Sequence, residues 1–209
     1  MIGPQEVAAA RTALLAGGLA IVPTDTVYGL VAALDSLQGI DALYALKGRQ
    51  RSQPCQVLVY REELLAEALA RLDELTTRAA RALLPGPVTC IVPDPTGRYA
   101  AATGDQPGAV GIRAPRMDGA ILGLDIPMIA TSANDPRGSD PATFDEIPVR
   151  LWNAGLIGLN MGRLPGTASA VVDLRGIARG GSATLIRPGA DPVGVSRRLE
   201  SAGIAVAEQ

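Results

Sequence analysis

The chain contains no histidine, and only one of its 19 basic residues, Lys47, is a lysine. The missing histidine excludes Ser-His-Asp and Cys-His catalysis, histidine metal sites and an imidazole base near neutral pH. Cysteine is scarce too, with only Cys55 and Cys90 present. Two cysteines without histidine argue against a structural zinc site, and each lies in a β-like apolar run, so buried thiols are expected in place of a disulfide. One phenylalanine and one tryptophan leave little for stacking on bases. No apolar run reaches the ~18–20 residues that span a bilayer. No basic-then-apolar leader pattern opens the chain, so a cytoplasmic protein with no membrane association is expected. The net charge of −2 gives the whole molecule no attraction to nucleic acid, although a local basic cleft is compatible with it.

What is present is ordinary for a globular protein: 209 residues, 47% apolar and 19% charged, enough for one domain with a sizeable core. Because arginine serves almost everywhere as the generic cation, the lone lysine points either to a place where a compact ammonium is wanted instead of a planar fork or to chance. The common phosphate cradles, G-x-x-x-x-G-K-[ST] and a strand-linked G-x-G-x-x-G, are absent. Chemistry must therefore rest on cations, hydroxyls, carboxylates, backbone amides and a metal carried by a substrate.

The pattern predicts a helix from Pro4 to about Ala16, with proline in its first turn and Gly17-Gly18 after its end. A short buried strand, Leu19 to Val22, runs into a loop from Pro23 to Leu30. Asp35 or Ser36 caps a second helix that carries Ile40, Leu43, Tyr44 and Leu46 on an apolar face and ends at Lys47. After the polar loop Gly48–Pro54 come a strand at Cys55–Tyr60, helices at Arg61–Leu72 and Thr76–Leu84, and a strand at Val88–Val92. Further strands are expected at Ala109–Arg113, Pro127–Ala130, Leu156–Leu159, Ser169–Leu174 and Ala183–Arg187. Short helices are expected at Gly119–Gly123 and Phe144–Ala154. The tail after Gly189 holds one more helix near Val193–Ser201 or frays. The interleaved order predicts an α/β domain with a mixed, twisted sheet flanked by helices.

Four polar stretches fall at strand ends, where loops usually hold ligands. Pro23-Thr24-Asp25-Thr26-Val27-Tyr28-Gly29 is one; taken alone it reads better as a turn with β-branched residues. Lys47-Gly48-Arg49-Gln50-Arg51-Ser52-Gln53-Pro54 puts three cations in five residues and fits either an anion-binding loop or a solvated basic one. Thr131-Ser132-Ala133-Asn134 can bind phosphate or ribose oxygens, or simply form Asx and Ser/Thr turns. Ser169 to Asp173 and Leu185 to Gly189 place Arg187 at a strand end as a phosphate clamp or a surface charge. The paired carboxylates Glu62-Glu63 and Asp73-Glu74 read as solvated helix faces.

The ordered segments PTDTVYGL, KGRQRSQP, LLPGPVT, GIRAPR, TSAN, SAVVD and LIRPG resemble the YrdC-like threonylcarbamoyl-AMP synthase family, from about Gly3 to Gly189. The resemblance implies a twisted mixed sheet around a large concave basic cavity, with a catalytic domain over 1–189 and a tail over 190–209. It implies synthesis of threonylcarbamoyl-AMP and pyrophosphate from L-threonine, bicarbonate and ATP with Mg2+. The product would pass to a separate tRNA threonylcarbamoyltransferase. By the same resemblance Lys47 and Arg49 are catalytic, and Thr26, Tyr28, Arg113, Ser132 and Ser169 hold threonine. Lys47, Arg49, Arg51, Gln53, Asn134 and Arg187 face the nucleotide. The chain departs from the family pattern at Gln53, usually lysine; Leu58, often histidine; Ala142, usually threonine or serine; and Ala170, usually threonine. Two other readings stay open: a relative that binds tRNA or double-stranded RNA weakly or serves ribosome maturation, and carbamoyl-adenylate chemistry on another acceptor.

Overall fold

The structure is a computed structural model that describes residues 2–105 and 107–207; the last two residues of the predicted tail lie outside it. Helix α1 (Pro4–Leu15) begins at a proline, whose fixed φ suits a first turn. Strand β1 (Leu19–Val22) then pairs antiparallel with β2 (Gly29–Ala33), Leu19 opposite Ala32. This β2 is not anticipated by the sequence pattern. All five of its residues are buried, so the polar–apolar alternation that marks a half-exposed strand is missing.

Helix α2 (Leu37–Lys47) starts where the Ser36 side chain accepts a hydrogen bond from the Gly39 amide at 3.0 Å. Next come β3 (Gln56–Leu58), α3 (Glu62–Leu69) and α4 (Glu74–Leu83). Asp73 caps α4 by accepting from the Thr76 amide at 2.9 Å. The chain continues through β4 (Val88–Asp94), the short α5 (Ala100–Thr103), β5 (Gly108–Arg113) and a 3-10 turn at Gly119–Gly123. After β6 (Met128–Ser132), the single helix expected over 144–154 resolves into a 3-10 turn, Phe144–Glu146, and α6 (Val149–Trp152). Pro148 stands between them, with no amide hydrogen to continue a ladder. Strands β7 (Ile157–Gly158), β8 (Ala170–Asp173) and β9 (Thr184–Arg187) precede α7 (Pro192–Ser201).

Among the described residues nine strands form one mixed sheet in the order β7-β1-β2-β6-β3-β5-β4-β8-β9. Alternation along each strand divides its side chains between two cores. Ile21, Leu30, Val57, Cys90, Ile112, Ile129 and Val172 join α2, α3, α4 and α7 on one face. Ala20, Val22, Val31, Leu58 and Met128 join Val7, Ala10 and Leu14 of α1 on the other. Each fully buried Leu or Ile in these layers contributes about 1.5–3 kcal/mol. Val195 and Leu199 of α7 are buried in the first core, and Ala183 bridges to Val206, so the segment after 190 packs onto the domain. Both cysteines are buried free thiols. Among the described residues no helix is long and apolar enough to cross a membrane.

The second face is covered unevenly. Helix α1 packs at the β7-β1-β2 end. Toward β3, β5, β4 and β8 the same face carries Gln56, Gly111, Arg113, Thr89, Ile91 and Val171, and these line a cavity of about 440 Å³.

Candidate active site

Two loops more than 80 residues apart in the sequence meet at one edge of this cavity. At the end of α2, Gly48 adopts a left-handed φ of 57°, which closes the helix and separates the paths of its neighbours. Lys47, on the last helical turn, is 4% exposed. Its Nζ lies 2.9 Å from the Ser132 carbonyl, 2.5 Å from the Asn134 carbonyl and 2.7 Å from Asn134 Oδ1. Three acceptors match the three N–H bonds of an ammonium, so the geometry is that of charged lysine. Burial first, then the positive charges of Arg150 and Arg49, pull its pKa down to about 8, against the attraction of Asp140 and Asp135.

Arg49 turns the other way. It donates from Nη1 to Thr131 Oγ1 at 3.0 Å and from Nη2 to the Pro54 carbonyl at 2.9 Å. Its buried Nε has no partner among the described residues. A buried cationic donor without a partner is a local cost to the fold. The Asn134 amide is fixed on both sides: Ser132 Oγ donates to Oδ1 at 2.8 Å, and Nδ2 donates to the Gly138 carbonyl at 2.8 Å and to Asp140 at 3.1 Å.

Arg150, on α6, braces this corner from outside. Its guanidinium donates to the Leu46 carbonyl at the end of α2 and to Asp135, and reaches the Asn134 carbonyl at 3.5 Å. The sequence reading does not single it out, since nothing local distinguishes it from the other 17 arginines.

On the far wall, Arg113 is 1% exposed. It pairs with Asp25, donates to the Gly86 carbonyl and lies 3.3 Å from Thr26 Oγ1. Burial pushes its pKa down and Asp25 opposes that shift. Thr24 Oγ1 and Thr26 Oγ1 are 2.8 Å apart. A polar row crosses the floor. Arg187 donates to the Ser169 carbonyl at 2.8 Å and to Ser169 Oγ at 3.2 Å; Ser169 Oγ meets Thr89 Oγ1 at 3.0 Å; Thr89 donates to Gln56 Oε1 at 2.7 Å.

The structure thus gathers Thr26, Arg49, Arg113, Ser132, Ser169 and Arg187 on one cavity lining, with Lys47 and Asn134 bonded to Ser132 behind it. Three predicted residues sit differently. Tyr28 borders the cavity, but its hydroxyl donates to the Gly162 carbonyl at 2.7 Å and accepts from the Met161 amide at 2.9 Å, anchoring that loop. Arg51 leaves the cavity for an exposed pair with Asp41 and stacks 4.5 Å over the Tyr44 ring. Gln53 is exposed; its Oε1 accepts from the Gln50 amide at 3.2 Å, and its carbonyl accepts from the Tyr44 hydroxyl. Neither Arg51 nor Gln53 belongs to the lining. Gln56, Thr89, Asp140 and Arg175 do belong to it, and sequence reasoning passed over all four. For Gln56 and Thr89 a signal existed: one polar residue inside an otherwise apolar strand.

Comparisons with known proteins follow the same lines. The profile of the Sua5/YciO/YrdC domain family, described as "Telomere recombination", matches residues 12–189. A Mycobacterium tuberculosis protein, provisionally named a threonylcarbamoyl-AMP synthase, is 31% identical over 196 residues, covering 92% of this chain and 87% of its own length. The Bos taurus threonylcarbamoyl-AMP synthase is 30% identical over 207 residues, 94% of this chain and 72% of its own. The solved structure of P. abyssi Sua5 complexed with L-threonine shares the fold with a TM-score of 0.83 at 23% identity. It covers 99% of this chain, while this chain spans 60% of that protein's length.

Proposed function

The chain belongs to the Sua5/YciO/YrdC family, and from that premise we propose that it makes threonylcarbamoyl-AMP and pyrophosphate from L-threonine, bicarbonate and ATP. The product would serve N6-threonylcarbamoylation of tRNA adenosine by a separate transferase. The observation that carries this reading is the juxtaposition of Lys47, Asn134, Ser132 and Arg49 at one edge of a hydroxyl-lined cavity. The names of the relatives support it.

The chemistry divides into two steps. The free amine of threonine attacks the carbon of bicarbonate, water leaves, and a carbamate forms. A carbamate oxygen then attacks the α-phosphorus of ATP, the bond to the β-phosphate bridging oxygen breaks, and pyrophosphate departs. Neither step needs a protein base once the amine is neutral. The obstacle is bringing one anion to another, which positioning and fixed positive charge can relieve. Lys47 and Arg49 supply that charge on the nucleotide side, and Arg187 supplies it at the end of β9. Thr26, Arg113 and Ser169 line the opposite side, where the amino acid would sit.

Among the described residues no cluster of three or more carboxylate or thiol side chains could cage a metal ion. A magnesium ion would come with ATP, held chiefly by its phosphates and water, and Asp140 is the one carboxylate among the described residues on the cavity lining. The ion would neutralise phosphate charge. The test is pyrophosphate release by the purified protein with ATP, magnesium and bicarbonate, with and without threonine, and mass detection of the adenylate. Threonine-dependent release is expected; a folded protein that releases none overturns the proposal.

A further inference from the structure

We propose that Gln56 is a substrate-contacting residue whose side-chain amide donates a hydrogen bond to the carboxylate of the bound amino acid. This rests on the reading of the cavity as an amino-acid site. Gln56 lies on β3 and Thr89 on β4, and β5 runs between them. They meet at 2.7 Å because the residue of β5 between them is Gly111. A Cβ there would stand 3.1 Å from Thr89 Cγ2 and 3.5 Å from Gln56 Cβ, so a side chain would push the pair apart.

With its Oε1 turned toward Thr89, the Gln56 amide sets the direction of the protons along the row. Gln56 Oε1 can only accept, so Thr89 uses its one hydroxyl hydrogen toward it. Ser169 must in turn donate to Thr89, and Ser169 Oγ accepts from Arg187. Ser169 therefore has no hydrogen left for a ligand. The row ends in the Gln56 amide, whose Nε2 has no partner among the described residues, beside a cavity that Gln56 lines. A chain of hydrogen bonds that begins at a guanidinium polarises each member in turn, which makes that amide a better donor to an anionic oxygen. Of its neighbours on this stretch of floor, Leu58 and Gly111 offer no side-chain donor, and Arg113 beside them is already engaged by Asp25 and the Gly86 carbonyl.

The experiment measures steady-state pyrophosphate release by the wild type, Gln56→Leu and Gln56→Glu, varying threonine and ATP separately, with threonine binding by calorimetry in parallel. Losing one hydrogen bond to a charged group is expected to raise the KM for threonine roughly tenfold or more in Gln56→Leu. Gln56→Glu keeps the acceptor for Thr89 but opposes a carboxylate, so its rise should be larger. The KM for ATP should stay within about twofold, and serine should suffer as threonine does, because both share the carboxylate. An unchanged threonine KM, an equal rise for ATP, or a loss confined to threonine overturns the assignment. If the wild type binds threonine but releases no pyrophosphate, the synthase reading fails and the calorimetric comparison alone decides on Gln56. If the wild type binds no threonine, both fall.

Discussion

Asn134 holds Lys47 with both of its oxygens: Nζ lies 2.5 Å from the main-chain carbonyl and 2.7 Å from Oδ1. A buried ammonium is thus satisfied by neutral carbonyl dipoles without a direct ion pair, an arrangement that keeps the charge available to an anion.

The same arrangement costs stability. Lys47 has a pKa of about 8 when folded, against 10.5 for the free side chain. Below about pH 8 it is protonated in both states and the cost of burying the charge is constant. Between about 8 and 10.5 the unfolded chain binds more protons, so stability rises with pH through that window. Lys47→Met should abolish turnover and remove this rise. Urea denaturation of both proteins from pH 8 to 10.5 checks it, and parallel pH profiles would sink the idea.

Arg49 and Arg51, two residues apart, should behave differently. Arg49→Ala removes a cavity-wall cation with an orphaned Nε, and ATP affinity should fall at least tenfold, or about 1.5–3 kcal/mol. Arg51→Ala removes an exposed pair with Asp41, which contributes only about 0–1 kcal/mol to stability, and affinity should change less than about threefold. Calorimetric titration with ATP separates them; equal losses would mean that the loop rearranges to bring Arg51 inward.

That contrast also shows where sequence reasoning reached its limit. Charged and hydroxyl residues at strand ends were legible because apolar runs frame them, and so Lys47, Arg49, Ser132, Ser169 and Arg187 could be picked out. Direction was not legible. Gly48 sends Lys47 and Arg49 along different paths, and a loop composition cannot say that Arg51 folds back onto Tyr44. Residues within strands were harder still. Thr89 in Val88-Thr89-Cys90 and Gln56 in Cys55-Gln56-Val57 read as interruptions of a core, whereas the face they occupy is the one left uncovered beyond α1. Strand β2 was lost for the opposite reason, since burial on both faces erased its alternation.

Asp25 and Arg113 form the most buried ion pair among the described residues, with side chains 14% and 1% exposed. Asp25 also accepts from the Arg116 amide at 2.9 Å. Asp25→Asn should destabilise the fold by about 3–5 kcal/mol, because it leaves the guanidinium buried without its counter-charge. Combining Asp25→Leu with Arg113→Met should recover much of that loss. Urea midpoints at constant m-value test this, and a single-variant loss below about 1 kcal/mol would show that the Gly86 carbonyl and solvent suffice for Arg113.

Arg150 governs Lys47 from outside the cavity. It joins the end of α2, through the Leu46 carbonyl, to Asp135 and reaches the Asn134 carbonyl, one of the three acceptors that hold Nζ. Its charge, second only to burial, lowers the pKa of Lys47, with Arg49 acting in the same direction and Asp140 and Asp135 opposing. ATP binding favours the charged form of Lys47. Wild-type affinity should therefore weaken as pH rises through about 8 and above, and binding at that pH should take up protons. Removing a neighbouring positive charge raises the pKa of Lys47, so Arg150→Gln should move the weakening to higher pH. Lys47→Met should erase it. Arg150→Lys keeps the charge but loses the fork that spans two segments, so its midpoint should stay near the wild type while affinity falls at every pH. ATP titrations from pH 6.5 to 10 in buffers of different ionisation enthalpy distinguish these outcomes. A midpoint that ignores the charge at position 150 would leave Arg150 a brace for α2 and nothing more.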